Sequence, residues 1–235
     1  MAAFARSRQP RLHVLHTGGK AWPKVMLLHG YGSSANHWFP LVQSIPLSPK
    51  GQFLLPQAPE KIARRDGVRD GRAWWDLNLA AHRRPGKLGV DLTAEDPSGI
   101  QHAATLVRRC LADEGNSADR PFVLGGFSQG AMVACEVAFN DDQPLAALVL
   151  LSGTYVESTG WRQHMAKRKG LKVFMSHGRA DNVLPFDLAE RLRADLVAAG
   201  LQVTFVPFDG GHEIPAEVLK ALGEFLAPAS QPPSP

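Results

Sequence analysis

Phe122-Val123-Leu124-Gly125-Gly126-Phe127-Ser128-Gln129-Gly130-Ala131 is the stretch on which the reading of this chain turns. Residues 122–124 read as a short buried strand, and a helical pattern follows over 131–139. Between them lies G-x-S-x-G, at Gly126, Ser128 and Gly130. A strand that turns into a helix at a serine forces that residue into a strained backbone conformation, so its neighbours two places away must lack bulk. The new helix points its N-terminus, with unpaired N–H groups, at the turn, where a developing oxyanion would be stabilised. Ser128 is read as a nucleophile.

Outward from this turn, β-type runs alternate with helical patterns. The strand runs are 25–28, 52–55, 145–151, 172–175 and 203–206, most of them continuously apolar, as strands covered on both faces should be. Asp96-Pro97 starts a helix with Asp as its cap, and Ile100, Ala103, Ala104, Val107, Cys110 and Leu111 mark its buried stripe. Asp187 and Glu190 have capping-box spacing ahead of Leu188, Leu192 and Leu196, and Gly200 ends that helix. Pro215 opens a last helix carrying Val218, Leu222 and Phe225. The alternation implies an α/β fold: a mostly parallel central sheet flanked by helices, with functional loops at the strand C-termini. No linker divides the chain, so residues 1–227 form a single domain. Residues 228–235, rich in proline, read as a disordered tail.

Composition narrows the function. The chain has 235 residues, 44% hydrophobic and 20% charged, enough apolar material for a sizeable core. Its longest apolar run, Leu145–Leu151, is far short of the roughly 18–20 residues that span a bilayer. Residues 1–10 hold two arginines without an apolar stretch behind them, so no secretory signal is read there. The net charge of +4 gathers at 61–72 and 162–172; neither cluster interleaves with aromatics, so both read as solvated surface and no nucleic-acid partner is expected. Cys110 and Cys135 both fall in helical patterns and read as buried, reduced thiols.

A serine needs a base held by an acid, and for this turn the chain order should be serine, acid, histidine. Ser176-His177-Gly178-Arg179-Ala180-Asp181 follows the strand at 172–175, and Gly210-Gly211-His212-Glu213 follows the strand at 203–206. Asp181 and His212 thus share the sheet edge of Ser128 and are read as its partners. Asp209, three residues before His212, is expected to shape the loop rather than orient the imidazole. His177 is expected to brace the acid loop through hydrogen bonds. Cys135 lies too far into its helix to replace the serine, and His13 and His16, on an edge strand, read as surface residues. No Cys/His cluster has metal-ligand spacing.

His29-Gly30-Tyr31-Gly32-Ser33-Ser34-Ala35 can be read two ways. As a dinucleotide fingerprint it needs an acid about twenty residues on, where the sequence has Leu55-Pro56-Gln57-Ala58-Pro59. As a loop donating a second oxyanion N–H, from Tyr31, it fits the three residues downstream. The polar stretch 59–97 interrupts the alternation and holds one apolar cluster, Ala73-Trp74-Trp75-Asp76-Leu77. It reads either as a functional excursion or as one pinned to the core by its tryptophans.

Taken in order, His29-Gly30-Tyr31-Gly32, Leu55-Pro56-Gln57-Ala58-Pro59, Ala73-Trp74-Trp75-Asp76, Gly126-Phe127-Ser128-Gln129-Gly130-Ala131 and His177-Gly178 to Asp181 with Gly211-His212 resemble the phospholipase/carboxylesterase family of α/β-hydrolases, with its acyl-protein thioesterases and small bacterial carboxylesterases. The resemblance runs over about 25–226. It implies a serine hydrolase cleaving carboxylic esters, with acyl thioesters and lysophospholipids as further candidates, through an acyl-enzyme. Ser128 would be the nucleophile, His212 the base and Asp181 its orienter. The backbone N–H groups of Tyr31 and Gln129 would form the oxyanion hole. Trp74-Trp75 would line the acyl pocket, with Trp75 favoured for the channel. The resemblance also implies a cytoplasmic enzyme without cofactor or metal, acting on a small-molecule acyl ester, not inserted in a membrane and sometimes a homodimer. Where the thioesterase branch reads His-Gly-Leu-Gly-Asp, this chain has Tyr31 and Ser33.

Overall fold

Consecutive residues of the first apolar run enter different cores. Val25 and Leu27 pack with Trp38, Val42 and Leu222, while Met26 and Leu28 pack with Ile100, Val107 and Val133. The same alternation recurs along the other central strands, which is why their sequences are continuously apolar. The computed structural model describes residues 11–19, 21–47, 51–62, 71–96, 98–156 and 158–227. In chain order the elements are β1 (Val14–Gly18), β2 (Ala21–Leu28), α1 (Ala35–Gln43), β3 (Gly51–Pro56), β4 (Glu60–Lys61), β5 (Arg72–Ala73), α2 (Ser98–Asp113), β6 (Phe122–Phe127), α3 (Gln129–Asn140), β7 (Leu145–Leu151), α4 (Ser158–His164), β8 (Lys172–Gly178), α5 (Phe186–Ala198), β9 (Gln202–Phe208) and α6 (Ala216–Leu226).

The sheet runs β1-β3-β2-β6-β7-β8-β9, with β1 antiparallel on one edge and every other pairing parallel. Helices α1 and α6 cover one face, and α2, α3 and α5 the other. The strand order reverses between β2 and β6, the crevice where α/β sheets place their sites. Strands β8 and β9 extend past their apolar runs, pairing Ser176 with Val206, His177 with Pro207 and Gly178 with Phe208. A ladder needs only backbone groups, so the apolar run underestimates strand length.

Helix ends follow the sequence signals with one exception. Asp96 Oδ1 accepts from the Ser98 N–H at 2.7 Å, opening α2; Pro97 lies outside the described residues. Gly200, with φ +84°, closes α5 in a Schellman arrangement, Leu201 N donating to Leu196 O and Gly200 N to Val197 O. Asp187 is not the α5 cap. The helix begins one residue before it, after Pro185, so Asp187 sits in the first turn with its carboxylate turned outward to Arg84, at 2.9 and 2.7 Å. Its charge still complements the helix dipole there.

The stretch 59–97 contributes the β4–β5 pair and a 3-10 turn, Leu79–His82, and buries Trp74, Trp75, Leu77, Val90 and Leu92 in the core of the α2–α3 face. Most of the basic cluster at 61–72 lies outside the described residues, as do residues 1–10 and the tail at 228–235. In the other cluster, Arg162 pairs with Asp195, and Arg168 donates to the carbonyls of Ala138 and Asp141. Cys110 and Cys135 are buried free thiols. Among the described residues no helix is long and apolar enough to cross a membrane.

Candidate active site

Two glycines and a strained serine build the turn after β6. Ser128 has φ 55° and ψ −119°, a left-handed conformation that costs an L-residue of order 1–3 kcal/mol. Its N–H donates to Leu151 O at 2.9 Å and its carbonyl accepts from Ala131 N at 3.0 Å, so both sides of the strained residue are held. A Cβ on Gly126 would sit 2.4 Å from the Gly130 carbonyl carbon, and one on Gly130 would sit 2.2 Å from Leu28 O. Strand β2 therefore passes directly against the turn, and only glycine leaves room. A Cβ on Gly30 would lie 3.3 Å from Ser128 Cβ, so the loop after β2 closes over the same serine.

Two further loops meet Ser128. The loop after β8 carries Asp181 and that after β9 carries His212; Ala180 N donates to Gly210 O at 2.9 Å, tying them together. His212 stands between its neighbours, Nδ1 at 2.7 Å from Asp181 Oδ2 and Nε2 at 2.9 Å from Ser128 Oγ. The carboxylate can only accept, so Nδ1 carries the proton and Nε2 accepts from the serine hydroxyl. The other carboxylate oxygen, Oδ1, accepts from Val183 N and Leu184 N at 2.9 and 2.8 Å. Burial pushes the Asp181 pKa up, but His212 and these two N–H groups outweigh it and hold the group below its ordinary value. The ring of Phe127 lies 4.8 Å from that of His212.

The remaining candidates take supporting positions. His177 Nε2 donates to Leu184 O at 2.7 Å and lies 3.3 Å from Asp181, bracing the acid loop; burial pushes its pKa down. Asp209 is exposed and pairs with Arg179 at 3.5 Å, without reaching His212. Cys135 is buried in α3, and His16, on edge strand β1, pairs with Glu114 at 3.2 Å.

Beside the loop after β2 opens a cleft of about 740 Å³, lined by Tyr31, Gly32, Glu60, Lys61, Ala73, Asp76, Leu77 and Asn78 among others. Neither tryptophan lines it. Trp74 is 1% exposed and Trp75 5%. Trp74 donates from Nε1 to His29 O at 2.8 Å. Trp75 lies against Gly99 of α2, where a Cβ would meet its side chain at 2.8 Å. Trp75, expected to face an acyl channel, is instead packed against α2 and does not line this cleft.

Two residues carry more than the sequence signalled. His29 Nδ1 donates to Gly30 O at 2.9 Å while Nε2 accepts from Ala58 N at 3.1 Å, fixing a neutral tautomer. Gln129, fully buried, bonds with its side chain to Trp74 N and Trp75 O. Local spacing holds no trace of either, because the partners Ala58, Trp74 and Trp75 lie 29 to 55 positions away. Among the described residues no group of three or more His, Cys, Asp or Glu is placed to hold a metal ion.

Known proteins share this arrangement of chain. Acyl-protein thioesterase 1 of Neurospora crassa is 27% identical over 86% of this chain and 84% of its own length. The acyl-protein thioesterase 1 of Yarrowia lipolytica is 29% identical over 72% and 74%. Among solved structures, esterase PE8 superposes with a TM-score of 0.74 at 27% identity, covering 92% of this chain and 98% of that one. Zea mays acyl-protein thioesterase 2, at 24% identity and a TM-score of 0.68 over 95% and 100%, shares the fold. The family profile of phospholipases/carboxylesterases matches residues 10–230, and the chain belongs to that family.

Proposed function

We propose that this protein is a serine hydrolase that cleaves carboxylic esters through an acyl-enzyme. The observation that carries this reading is His212 standing between Asp181 and Ser128 at 2.7 and 2.9 Å. Ser128 Oγ attacks the acyl carbonyl carbon as His212 Nε2 takes the hydroxyl proton. The carbonyl oxygen, now negative, is met by the backbone N–H groups of Tyr31 and Gln129, the latter at the α3 N-terminus. The bond to the leaving oxygen or sulfur then breaks and His212 returns the proton to it. Water, deprotonated by His212, then attacks the acyl-serine; as the bond to Ser128 Oγ breaks, His212 returns that proton to it, releasing the carboxylic acid and the free serine. Asp181 keeps the imidazole in the tautomer that accepts at Nε2 and stabilises the imidazolium.

The names of the relatives, acyl-protein thioesterase and esterase, support an ester or thioester as substrate, and small-molecule acyl esters, acyl thioesters and lysophospholipids belong to the same proposal. The substrate would approach through the cleft beside Tyr31. A cytoplasmic location and a homodimer, implied by the family resemblance, complete the reading; light scattering on the purified protein decides the second. A fluorophosphonate probe tests the chemistry. Labelling of the wild type that disappears in Ser128→Ala and His212→Ala is expected. An unlabelled wild type would leave a non-catalytic binding protein on the same fold, and full labelling of Ser128→Ala would remove Ser128 as the nucleophile.

A further inference from the structure

We infer that the side chain of Gln129 is a positioning residue, a clamp that fixes one wall of the substrate cleft to the nucleophile turn. The inference rests on the serine hydrolase reading above. Catalysis asks only for the backbone N–H of residue 129, which any amino acid supplies. The side chain is therefore free for another task, and the structure shows it fully engaged. Its Oε1 accepts from Trp74 N and its Nε2 donates to Trp75 O, both at 2.9 Å, in a side chain with no exposed surface. One donor and one acceptor of the bent backbone at Trp74-Trp75 are satisfied by a single primary amide.

The clamped dipeptide sits inside the cleft wall. Ala73 on one side of it and Asp76 and Leu77 on the other line the cleft. The opposite wall, Tyr31 and Gly32, joins the same unit through Gly32 N to Arg72 O at 2.9 Å and Arg72 N to Ser33 O at 2.8 Å. The Trp74 indole adds a bond to His29 O at the root of that loop. Trp75 contributes no polar anchor of its own, since its buried indole N–H has no partner. Gln129 thus ties the nucleophile turn directly to one wall, which Arg72 and the Trp74 indole join to the other. The chemistry is narrow: asparagine is one methylene too short, and leucine leaves a buried N–H and C=O unpaired. Glutamate replaces the amide only when protonated, its O–H donating to Trp75 O and its carbonyl accepting from Trp74 N.

That last property supplies the test. Amide hydrogen exchange at Trp74 is measured in wild type, Gln129→Leu and Gln129→Glu at pH 5.5 and 8.5, each rate divided by its intrinsic value. His29, packed against Trp74, titrates at about 4 and stays neutral throughout. Gln129→Leu should exchange about tenfold faster than wild type or more at both pH values. Gln129→Glu should do so at pH 8.5 and recover most of the protection at pH 5.5, where the buried carboxyl holds its proton. In parallel, KM for an octanoate ester relative to wild type at the same pH should rise about tenfold whenever the clamp is open, and KM for an acetate ester should change by less than about threefold. Wild-type protection of Trp74 in Gln129→Leu, or no difference between the Glu and Leu variants at pH 5.5, overturns the clamp. So do open clamps with unaltered octanoate KM. Exchange needs no turnover, so a wild type inert to the fluorophosphonate would refute the hydrolase reading while the exchange data still decide whether the clamp exists.

Discussion

Replacing His29 by glutamine should remove much of the protein's sensitivity to acid. In the fold His29 is buried, with Nε2 accepting from Ala58 N, so a proton on that nitrogen would set two donors face to face. Burial is the main reason its pKa falls from 6.5 to about 4; the bond to Gly30 O opposes this, and His37 and Arg72 add to it. The folded pKa lies below the unfolded one, so between these values the unfolded chain binds more protons and acid favours unfolding. Stability from this group is complete above pH 6.5 and is lost as pH falls toward 4. A difference of about 2.5 units at 1.36 kcal/mol each gives a loss of about 1.4 kcal/mol by pH 5.5 and about 3 kcal/mol by pH 4. Urea unfolding followed by circular dichroism at pH 7, 5.5 and 4 reads it. The variant loses some packing at pH 7, and the stability gap between wild type and variant should then narrow, or reverse, by those amounts as pH falls. A gap constant to within about 0.5 kcal/mol over the three pH values would refute the neutral, accepting role of His29.

The other expectations concern the site and its surroundings. Asp181→Asn should lower kcat on p-nitrophenyl acetate by about 10⁴-fold, because the imidazole loses its tautomer, while Asp209→Asn should stay within about threefold; the reverse order would reassign the acid. Trp75→Ala should cost about 3–5 kcal/mol as a large core deletion, read as an earlier thermal midpoint, without changing the preference for acyl chain length. A shifted preference with an unchanged midpoint would return Trp75 to the cleft. Burial pushes the Cys110 thiol up to about 12 and raises Cys135 as well, so neither should react with a disulfide reagent until the protein is unfolded; titration of native thiols at pH 8 would contradict that.

Much of the site is legible in the sequence because its geometry is local. The glycines around Ser128 announce a turn whose strain belongs to five consecutive residues, and Leu28 passing within 2.2 Å of the Gly130 Cβ position is the tertiary echo of that pattern. Asp181 and His212 were legible by order, since parallel strands deliver their following loops to one edge. Asp187 shows where such reading fails. A capping box and a first-turn carboxylate have the same residues at the same spacing, and Arg84, a hundred positions away, engages the side chain.

By itself the sequence determined the α/β alternation, the burial of the central strands on both faces and the three residues that meet at the sheet edge. These depend on periodicity and on chain order, which a linear string carries. Tertiary structure alone decided that both tryptophans are buried, that His29 is held neutral and that Gln129 clamps the cleft wall. Each of these rests on a hydrogen bond or a packing contact between residues 24 to 55 positions apart. Hydrogen bonding and close packing are short-ranged in space and indifferent to separation along the chain, so no local pattern records them.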